Sequence, residues 1–371
     1  MRQDHFTTIY LEKAFFSEKE RILAENSRLS ASVFLYGSGV HGLRIKNKRG
    51  KITVLPFQGQ QIWECIFDDR NLTMKSMFKE PEATQSFTHN YGGFLLHCGA
   101  SAMGNPSKED IHPVHGELPN AAYQKAFLRC GCDKGGCYMA FGGQYEYIEA
   151  FRHHYIAEPL VKMYENSTVM DISMSITNLR NSSMELMYLM HINFMLKNGS
   201  KLIYSAGSMP EDIIVHINPS DIEKSPEKGE FTSYLNNLER DPGLHNHILP
   251  NQPYDPEIVF TIDYKYDDEG RAYSMQVHPD GYADYVCHRP GELDHGIRWI
   301  ARTCDENAIG LLLPATADHK GYLAEKSKGN IKILSTGEKA EYHVNAGLLA
   351  PKEVEMVKKR IEKIMITKAQ V

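Results

Sequence analysis

The chain has 371 residues, of which 42% are hydrophobic and 24% charged, and its formal net charge is -6. This length can bury a substantial core, as one large domain or as two ordinary ones. The negative charge, together with the lack of a basic stripe with interleaved aromatics, argues against a nucleic-acid partner. No stretch reaches the ~18 apolar residues that a membrane helix needs, so no membrane partner is expected.

The first residues, MRQDHFTTIYLEKAFF, contain no apolar region of the secretory kind, so a cytoplasmic location is expected. Seven cysteines in a long chain do not resemble a disulfide framework, and reduced thiols are therefore expected. Three of them lie in RCGCDKGGCY, at Cys130, Cys132 and Cys137. That spacing lacks the paired C-x-x-C knuckles of a structural zinc site, and DKGG predicts a hairpin turn instead.

Helical periodicity is confined to the two ends of the chain. A first helix is predicted over 17–29, within an N-terminal helical extension of residues 1–30. A second is predicted over 352–364, within a C-terminal helix assigned to 350–371, and it places four apolar residues on one side, namely Val354, Val357, Ile361 and Ile364. We expect this apolar side to pack on the rest of the protein.

Between the ends, the pattern is that of β-strands. Residues 170–177 alternate strictly between apolar and polar, and residues 258–264 repeat the alternation. Turn signals punctuate such segments at 47–50, 68–71, 178–182, 267–270 and 336–339. Many strands separated by turns predict a sandwich or barrel, assigned to residues 31–349 of a single domain. The stretch 209–256, rich in Pro, Asn and Asp, predicts a long loop that helps to cover a cleft.

Two histidines stand in matched surroundings, His115 in HPVHGELPN and His191 in LMHINFML. Each follows an extended, apolar-alternating segment, which is how a strand delivers a polar side chain into a cleft. Because histidine gives or accepts a proton near neutrality, such a pair suits proton transfer on a sugar held between the rings. The alternative is that each is an ordinary hydrogen-bonded structural histidine.

Five segments carry a resemblance to a known family: YGGFLLHCGASAMGNP, HPVHGELPN, LMHINF, PEIVFTIDYKYDDEGRA and IGLLLPATADHKG. In order and spacing they are similar to the galactose-mutarotase-like proteins, and more narrowly to an uncharacterised branch of the aldose 1-epimerase superfamily, over residues 43–348. The resemblance implies an all-β fold, a large antiparallel β-supersandwich whose strands line a concave face. It also implies that His115, His191 and Asn193 act on the ring oxygen and anomeric hydroxyl of a sugar.

The chain also departs from the pattern of that family. Leu313 stands where aldose epimerases carry the glutamate base, and an aliphatic side chain cannot accept a proton. Gln58 and Gln61 stand where the branch tends to place Arg and Asp, and Glu117 stands where it tends to place Arg. The resemblance therefore implies weak ordinary mutarotation, with Glu117 as the candidate replacement for the missing base.

Other residues are candidates for contacts with the substrate. Asp263 lies on the polar face of a predicted strand, where a carboxylate can anchor sugar hydroxyls, and Arg298 and Gln61 are further polar candidates. Trp63, Tyr123 and Trp299 could supply a flat apolar surface for a pyranose ring. The alternative for each aromatic residue is a place in the core.

Three functions remain open from the sequence. The first is a cofactor-free enzyme that epimerises or isomerises a monosaccharide or sugar derivative, with His115, His191 and Glu117 as catalytic residues. The second is a metal-dependent enzyme in which a divalent ion is held by a set of four ligands, His112, His115, Glu117 and His191. The third is a non-catalytic sugar-binding protein. The sequence leaves a homodimer open.

Overall fold

The computed structural model describes residues 5–217 and 229–368, which form 22 strands and three α-helices. The strands are β1 (His5–Tyr10), β2 (Arg21–Glu25), β3 (Ser30–Leu35), β4 (His41–Lys46), β5 (Gly50–Leu55), β6 (Gln61–Phe67), β7 (Arg70–Asn71), β8 (Leu95–Ala100), β9 (Lys125–Asp133), β10 (Gly136–Glu149), β11 (His153–Tyr164), β12 (Val169–Asn178), β13 (Met184–Ile192), β14 (Lys201–Tyr204), β15 (Ile213–His216), β16 (Tyr254–Ile262), β17 (Ala272–Val277), β18 (Ala283–His288), β19 (His295–Arg302), β20 (Asn307–Ala315), β21 (Lys332–Leu334) and β22 (Lys339–Leu349). The helices are α1 (Glu230–Arg240), α2 (Tyr322–Lys328) and α3 (Pro351–Lys368), and 3₁₀ turns cover Lys13–Phe15 and Pro242–Asn246.

The strands build two antiparallel sheets. The smaller has nine strands in the order β1-β9-β10-β11-β12-β22-β18-β17-β14. The larger has thirteen, eleven of them in the order β15-β16-β19-β20-β13-β8-β6-β5-β4-β3-β2, with β21 paired to β13 and β7 paired to β6. The prediction of an all-β antiparallel sandwich is confirmed.

The main core lies between the two sheets and follows from the period-two alternation of the strands. In β12, Met170, Ile172, Met174 and Ile176 are buried, while the polar residues between them are half-buried. In β13, Met190 and Ile192 join the same core. Leu189 and His191 alternate with these two residues, so they lie on the opposite face of the larger sheet, away from the core. That outer face carries the candidate site.

The predicted N-terminal helix over 17–29 is wrong. β2 pairs with β3 at one edge of the larger sheet, and β1 pairs with β9 at one edge of the smaller sheet. Ile22, an apolar residue within the predicted helix, is 64% exposed. The backbone groups of the two sheet edges offer hydrogen-bond partners to an incoming strand, and this tertiary pairing outweighs the weak local helical pattern.

The predicted loop over 209–256 is only partly a loop. It contains β15, helix α1, the second 3₁₀ turn and the start of β16, and residues 218–228 of it lie outside the described part of the chain. Phe231, Leu235 and Leu238 of α1 are buried in the main core. The predicted C-terminal helix is present as α3, and Val354, Val357, Ile361 and Ile364 are buried against the smaller sheet.

The expectation of reduced thiols throughout is wrong at one place, because Cys132 and Cys137 form a disulfide. The predicted hairpin turn at DKGG joins β9 to β10 and pairs these two residues directly, with their Cα atoms 3.9 Å apart. Cys130 is a free thiol. Of the helices in the described residues, none combines the length and apolar character needed to cross a membrane.

Candidate functional site

A cavity of about 480 Å³ on the outer face of the larger sheet holds both of the predicted histidines. The rings of His115 and His191 lie perpendicular to each other, with their centres 5.3 Å apart. β13 delivers His191 into the cavity, as the sequence predicts. His115 comes instead from a turn between β8 and β9, so the expectation that a strand presents it is wrong.

The turn that carries His115 depends on the glycine that follows. His115 has a φ of 60° and Gly116 a φ of 80°, both in the left-handed region. A Cβ atom on Gly116 would lie 2.2 Å from the carbonyl oxygen of Ala102, so no other residue fits there. The Gly99 amide donates to the carbonyl of His115, and the His115 amide donates to Gly104, which fixes the turn against β8.

Hydrogen bonds fix the tautomer of His191. The side-chain NH₂ group of Asn193 donates to the carbonyl of Gly93 at 3.0 Å, which turns Oδ1 of Asn193 toward His191. Oδ1 lies 2.6 Å from Nδ1 of His191 and accepts its proton. Nε2 therefore carries the lone pair, and the Tyr91 hydroxyl lies 3.4 Å from it. Asn193 thus positions the imidazole instead of lining the cavity itself.

Burial keeps both imidazoles neutral. It lowers the pKa of His191 to about 4, and the hydrogen bond to Asn193 only partly offsets this effect. Burial also holds the pKa of His115 well below its usual range, and the neighbouring His191 and His319 act in the same direction. Among the described residues, Nδ1 of His115 is buried without a hydrogen-bond partner. A ligand between the rings would thus meet two neutral imidazoles.

Aromatic side chains form one wall of the cavity. The rings of Tyr91 and Trp299 each lie 5.6 Å from the ring of His191 in edge-to-face contacts, and Phe87 lies 4.8 Å from the ring of His115. Trp299 therefore lines the cavity, where its ring can offer the predicted flat surface to a sugar. Its indole nitrogen donates to the carboxylate of Glu257 at 2.5 Å.

The charged groups that line the cavity are acidic. Asp255, Glu257 and Glu306 contribute carboxylates, whereas no lysine or arginine is among the cavity residues in the described part of the chain. Burial, with the charges of Asp305 and Glu257, raises the pKa of Glu306. Leu313 also lines the cavity, so the position registered with the epimerase base contributes an aliphatic surface beside the two histidines.

Glu117 does not line this cavity, which corrects its predicted place beside the histidines. Its carboxylate accepts hydrogen bonds from the amides of Ala100 and Ser101 at 3.1 and 3.0 Å, from the Ser101 hydroxyl at 2.6 Å and from the Tyr155 hydroxyl at 2.5 Å. The left-handed turn at His115 and Gly116 reverses the chain and directs Glu117 to a separate cavity of about 1000 Å³. Its carboxylate anchors the segment that follows β8.

The predicted four-residue metal set is not assembled. Nδ1 of His112 donates to the carbonyl of Pro113 at 2.8 Å, and its Nε2 accepts from the amide of Tyr322 at 3.2 Å. His112 lines the same separate cavity as Glu117, away from His115 and His191. Because both ring nitrogens of His112 have protein partners, neither is directed at an ion.

Arg298 and Asp263 also lie outside the cavity. Arg298 is fully buried on the core side of β19, where it donates to the carbonyl of Leu311 and to the Ser274 hydroxyl. It cannot reach the cavity because its neighbour Trp299 occupies the opposite face of the strand. Asp263 follows the end of β16, is exposed and pairs with Lys265.

The remaining substrate-binding candidates are structural. The side chain of Gln61 donates to the carbonyl of Pro119 at 2.7 Å and to Asn120 at 2.9 Å. Trp63 is buried in a small cluster with Val40 and Leu55, and the ring of Tyr123 packs against that of Tyr145. The alternative of a core position therefore holds for Trp63 and Tyr123.

Comparison with known protein families gives one match. Residues 37–348 match the family described as "Domain of unknown function (DUF4432)". The chain belongs to this family. None of the curated proteins matches it.

The fold of this DUF4432 protein is shared with several solved structures. A putative aldose 1-epimerase from Klebsiella pneumoniae is 16% identical with a TM-score of 0.82, and the match covers 97% of this chain and 96% of the other. A galactose mutarotase-like protein from Clostridium acetobutylicum is 13% identical with a TM-score of 0.57, covering 87% and 99%. The Slr1438 protein from Synechocystis is 14% identical with a TM-score of 0.54, covering 80% and 91%. The predicted galactose-mutarotase-like fold is confirmed.

Sequence reasoning missed several residues of the DUF4432 cavity, among them Phe87, Tyr91, Glu257, Glu306 and His319. Tyr91, Glu257 and His319 lie inside the segments that carry the family resemblance, so their position was a usable signal. Glu306 lies outside those segments, in the turn between β19 and β20.

Proposed function

We propose that this DUF4432 protein catalyses acid-base chemistry on a neutral monosaccharide, as an epimerase acting at C1 or as an aldose-ketose isomerase. One observation carries the proposal: a neutral imidazole with a fixed tautomer, that of His191, shares a cavity with the ring of His115. The superfamily fold supports a sugar-epimerase type of site, and the roles given below are our own assignment.

His191 can replace the missing glutamate base. With a pKa of about 4, its Nε2 has the basicity of an ordinary glutamate, whose reference pKa is about 4.3. In the proposed epimerisation, Nε2 of His191 takes the proton of the anomeric hydroxyl while the ring N–H group of the neutral His115 gives its proton to the ring oxygen; both protons return in the reverse step. The bond between C1 and the ring oxygen breaks, the aldehyde group rotates, and the reverse transfers close the other anomer.

The acidic lining of the cavity favours sugars without a negative charge. Three carboxylates and no described lysine or arginine line it, so a phosphorylated or carboxylated sugar would meet repulsion and find no cationic partner. The volume of about 480 Å³ lies within the range of small-molecule sites, roughly 300–1,000 Å³. A neutral pyranose, or one carrying an amino group, fits both conditions.

Anomer exchange followed by NMR tests the proposal. Purified protein is mixed with a panel of neutral aldoses, amino sugars and sugar phosphates, and exchange between the two anomers is measured. We expect the protein to accelerate the exchange of at least one uncharged or amino sugar, to accelerate that of glucose and galactose only weakly, and to leave that of sugar phosphates at the rate in buffer.

Replacement of the base separates catalysis from binding. His191→Ala should lower the rate on the best sugar by roughly 10²- to 10⁴-fold. Asp263→Asn, at an exposed position outside the cavity, should leave it unchanged. An undiminished rate in His191→Ala would contradict the assigned base, and a preference for sugar phosphates would contradict the substrate class.

A non-catalytic sugar-binding role is the second candidate, and the aliphatic Leu313 at the position of the epimerase base favours it. It predicts that a sugar binds with no exchange of its anomers above the rate in buffer.

A further inference from the structure

A second cluster of polar side chains lies beside the cavity and belongs to none of the predicted sites. His216, Asp318 and His319 each offer one ligand atom, and these atoms lie within 4.8 Å of one another. Among the described residues this is the one group of three or more His, Cys, Asp or Glu side chains with that property. β15 supplies His216 at its last residue, and the loop after β20 supplies Asp318 and His319.

The three side chains converge on a small volume. Nε2 of His216 lies 3.7 Å from Oδ2 of Asp318, and Nδ1 of His319 lies 3.0 Å from Oδ1 of the same carboxylate. The two imidazole rings are 4.7 Å apart, centre to centre. Each side chain is 10–15% exposed, so the cluster is mostly shielded yet open to solvent on one side.

We propose that His216, Asp318 and His319 bind a divalent transition-metal ion, with zinc as the best match. Two imidazole nitrogens and one carboxylate oxygen form a donor set that zinc and its neighbours in the series prefer, and three protein ligands leave a coordination position open. Tetrahedral zinc with bonds of about 2.0–2.2 Å needs ligand atoms about 3.4 Å apart. The nearest nitrogen–oxygen distances in the cluster are close to that value, namely 3.0 Å from His319 to Oδ1 and 3.7 Å from His216 to Oδ2 of Asp318.

Hydrogen bonds outside the ligand set orient the cluster. The Thr261 hydroxyl donates to Oδ1 of Asp318 at 2.9 Å, and its oxygen lies 2.8 Å from Nε2 of His216, a contact that an ion bound to Nε2 would replace. The backbone amide of His319 also donates to Oδ1 of Asp318. Such outer partners fix the rotamers of ligands before an ion binds. Thr261 is therefore a positioning residue of the proposed site.

One cation competes for the carboxylate. Nζ of Lys328 lies 3.4 Å from Oδ2 of Asp318, but it is also 2.7 Å from Oε1 of Glu325. The Lys328 side chain is 44% exposed, so it can keep its bond to Glu325 and leave Asp318 when an ion arrives. A bound divalent ion would then replace the ammonium group of Lys328 beside Asp318.

The proposed metal site lies beside the cavity of the two histidines. His319 lines the cavity that holds His115 and His191 and also an adjoining cleft of about 220 Å³, and Glu257 borders both spaces. An ion on this wall could take an oxygen atom of the sugar in its open position. The metal proposal stands on the cluster itself and does not rest on the proposed acid-base function.

Metal binding by the full-length, tag-free protein tests the proposal. After dialysis against a chelator and its removal, the protein is titrated with Zn²⁺ by calorimetry and with Co²⁺ by visible absorption. We expect one equivalent of either ion, with Co²⁺ bands typical of tetrahedral or five-coordinate sites. His216→Ala and His319→Ala should abolish the Co²⁺ bands, while Thr261→Val should weaken binding about 10- to 100-fold.

The matched control is His343→Ala, which removes an exposed histidine paired to Glu292 on the smaller sheet. It should bind Co²⁺ like the unaltered protein. Circular dichroism and melting temperature identify variants that fail to fold, and the milder Thr261→Val then carries the test. Absence of saturable Zn²⁺ and Co²⁺ binding would overturn the proposal. Equal binding by the unaltered protein and by folded His216→Ala and His319→Ala would overturn it as well.

Discussion

At the scale of single residues, the chemistry of the cavity depends on the amide group of Asn193. Because its NH₂ group is committed to the Gly93 carbonyl, its oxygen accepts the Nδ1 proton of His191 and leaves the Nε2 lone pair facing the cavity. Desolvation then sets the basicity of that lone pair. The neighbours of His191 thus set both its tautomer and its pKa. The pH dependence of anomer exchange should therefore report the pKa of this base.

Asn193→Asp should move the acidic limb of the pH-rate profile. In the unaltered protein, anomer exchange should fall as the pH drops through about 4, where Nε2 of His191 becomes protonated. A carboxylate beside Nδ1 stabilises the imidazolium ion, so it raises the pKa of His191 and shifts that limb to higher pH. The measurement is exchange rate against pH for both proteins. A limb that stays in place would contradict the assignment of His191 as the base.

Glu117→Gln should affect stability more than chemistry. The four hydrogen bonds of this carboxylate hold the segment after β8, and it lies outside the cavity of the two histidines. Loss of bonds to a charged acceptor should lower the free energy of unfolding by about 1–3 kcal/mol. Urea unfolding and anomer exchange are measured together, with Tyr155→Phe as the control that removes one of the four donors. A loss of turnover by orders of magnitude at unchanged stability would restore Glu117 as a catalytic residue.

At the scale of elements, the site follows from which face of a strand each residue occupies. In β16, Asp255, Glu257 and Val259 lie on the cavity side, and Thr261 on the same side reaches the proposed metal ligands. The sequence pattern predicts this polar face correctly, but it selects Asp263, which lies beyond the end of the strand. Where a strand ends depends on its pairing partner, and the local alternation does not contain that information.

The same alternation decides between Arg298 and Trp299. Adjacent residues of a strand point to opposite faces, so the sequence already excludes that both line one cavity. The turn at His115 could not be predicted in this way. A positive φ at a histidine is uncommon and depends on the contacts that clamp the turn to β8. The chain reversal that separates Glu117 from His115 could therefore not be predicted from the sequence.

Helix α3 offers a test of element packing. Ile361 is buried against the smaller sheet, whereas Met356 on the same helix is 59% exposed. Ile361→Ala should lower the free energy of unfolding by about 2–5 kcal/mol, because it removes buried methyl groups and leaves a cavity. Met356→Ala should change it by no more than about 0.5 kcal/mol. Urea denaturation of both variants checks the difference, and equal effects would contradict the packing of α3.

At the scale of the whole molecule, the alternating strands and their turns predict a sandwich or barrel, because each strand buries one face in a common core, and the family resemblance implies the antiparallel sandwich. The sequence did not predict the strands at the N-terminus, since β1 and β2 exist only as additions to existing sheet edges. The fold also buries several histidines that the sequence did not single out, with a consequence for stability in acid.

The protein should lose stability steeply as the pH falls below 6.5. Burial lowers the pKa of His97, His245 and His288 to about 3 and that of His191 to about 4. In the unfolded chain each of these four histidines takes up a proton below a pH of about 6.5, whereas in the folded protein it stays neutral. Each histidine therefore lowers the free energy of unfolding by up to about 1.4 kcal/mol per pH unit. Stability is complete above that pH and declines toward pH 4.

Urea unfolding at pH 7.5, 6.5, 5.5 and 5.0 measures this slope (pH values chosen to span roughly the reference pKa of histidine). His343→Ala, which removes an exposed histidine, should keep the slope of the unaltered protein. A free energy of unfolding that is constant between pH 7.5 and 5.0 would show that these histidines are not buried in the neutral form.

A crystal structure of the protein soaked with a neutral monosaccharide tests the central claim most directly. The account predicts a sugar ring between His115 and His191, with a hydroxyl within hydrogen-bond distance of Nε2 of His191 and a C–H face against Trp299. A sugar bound instead in the separate cavity beside Glu117, or no sugar between the two histidines at saturating concentration, would contradict it.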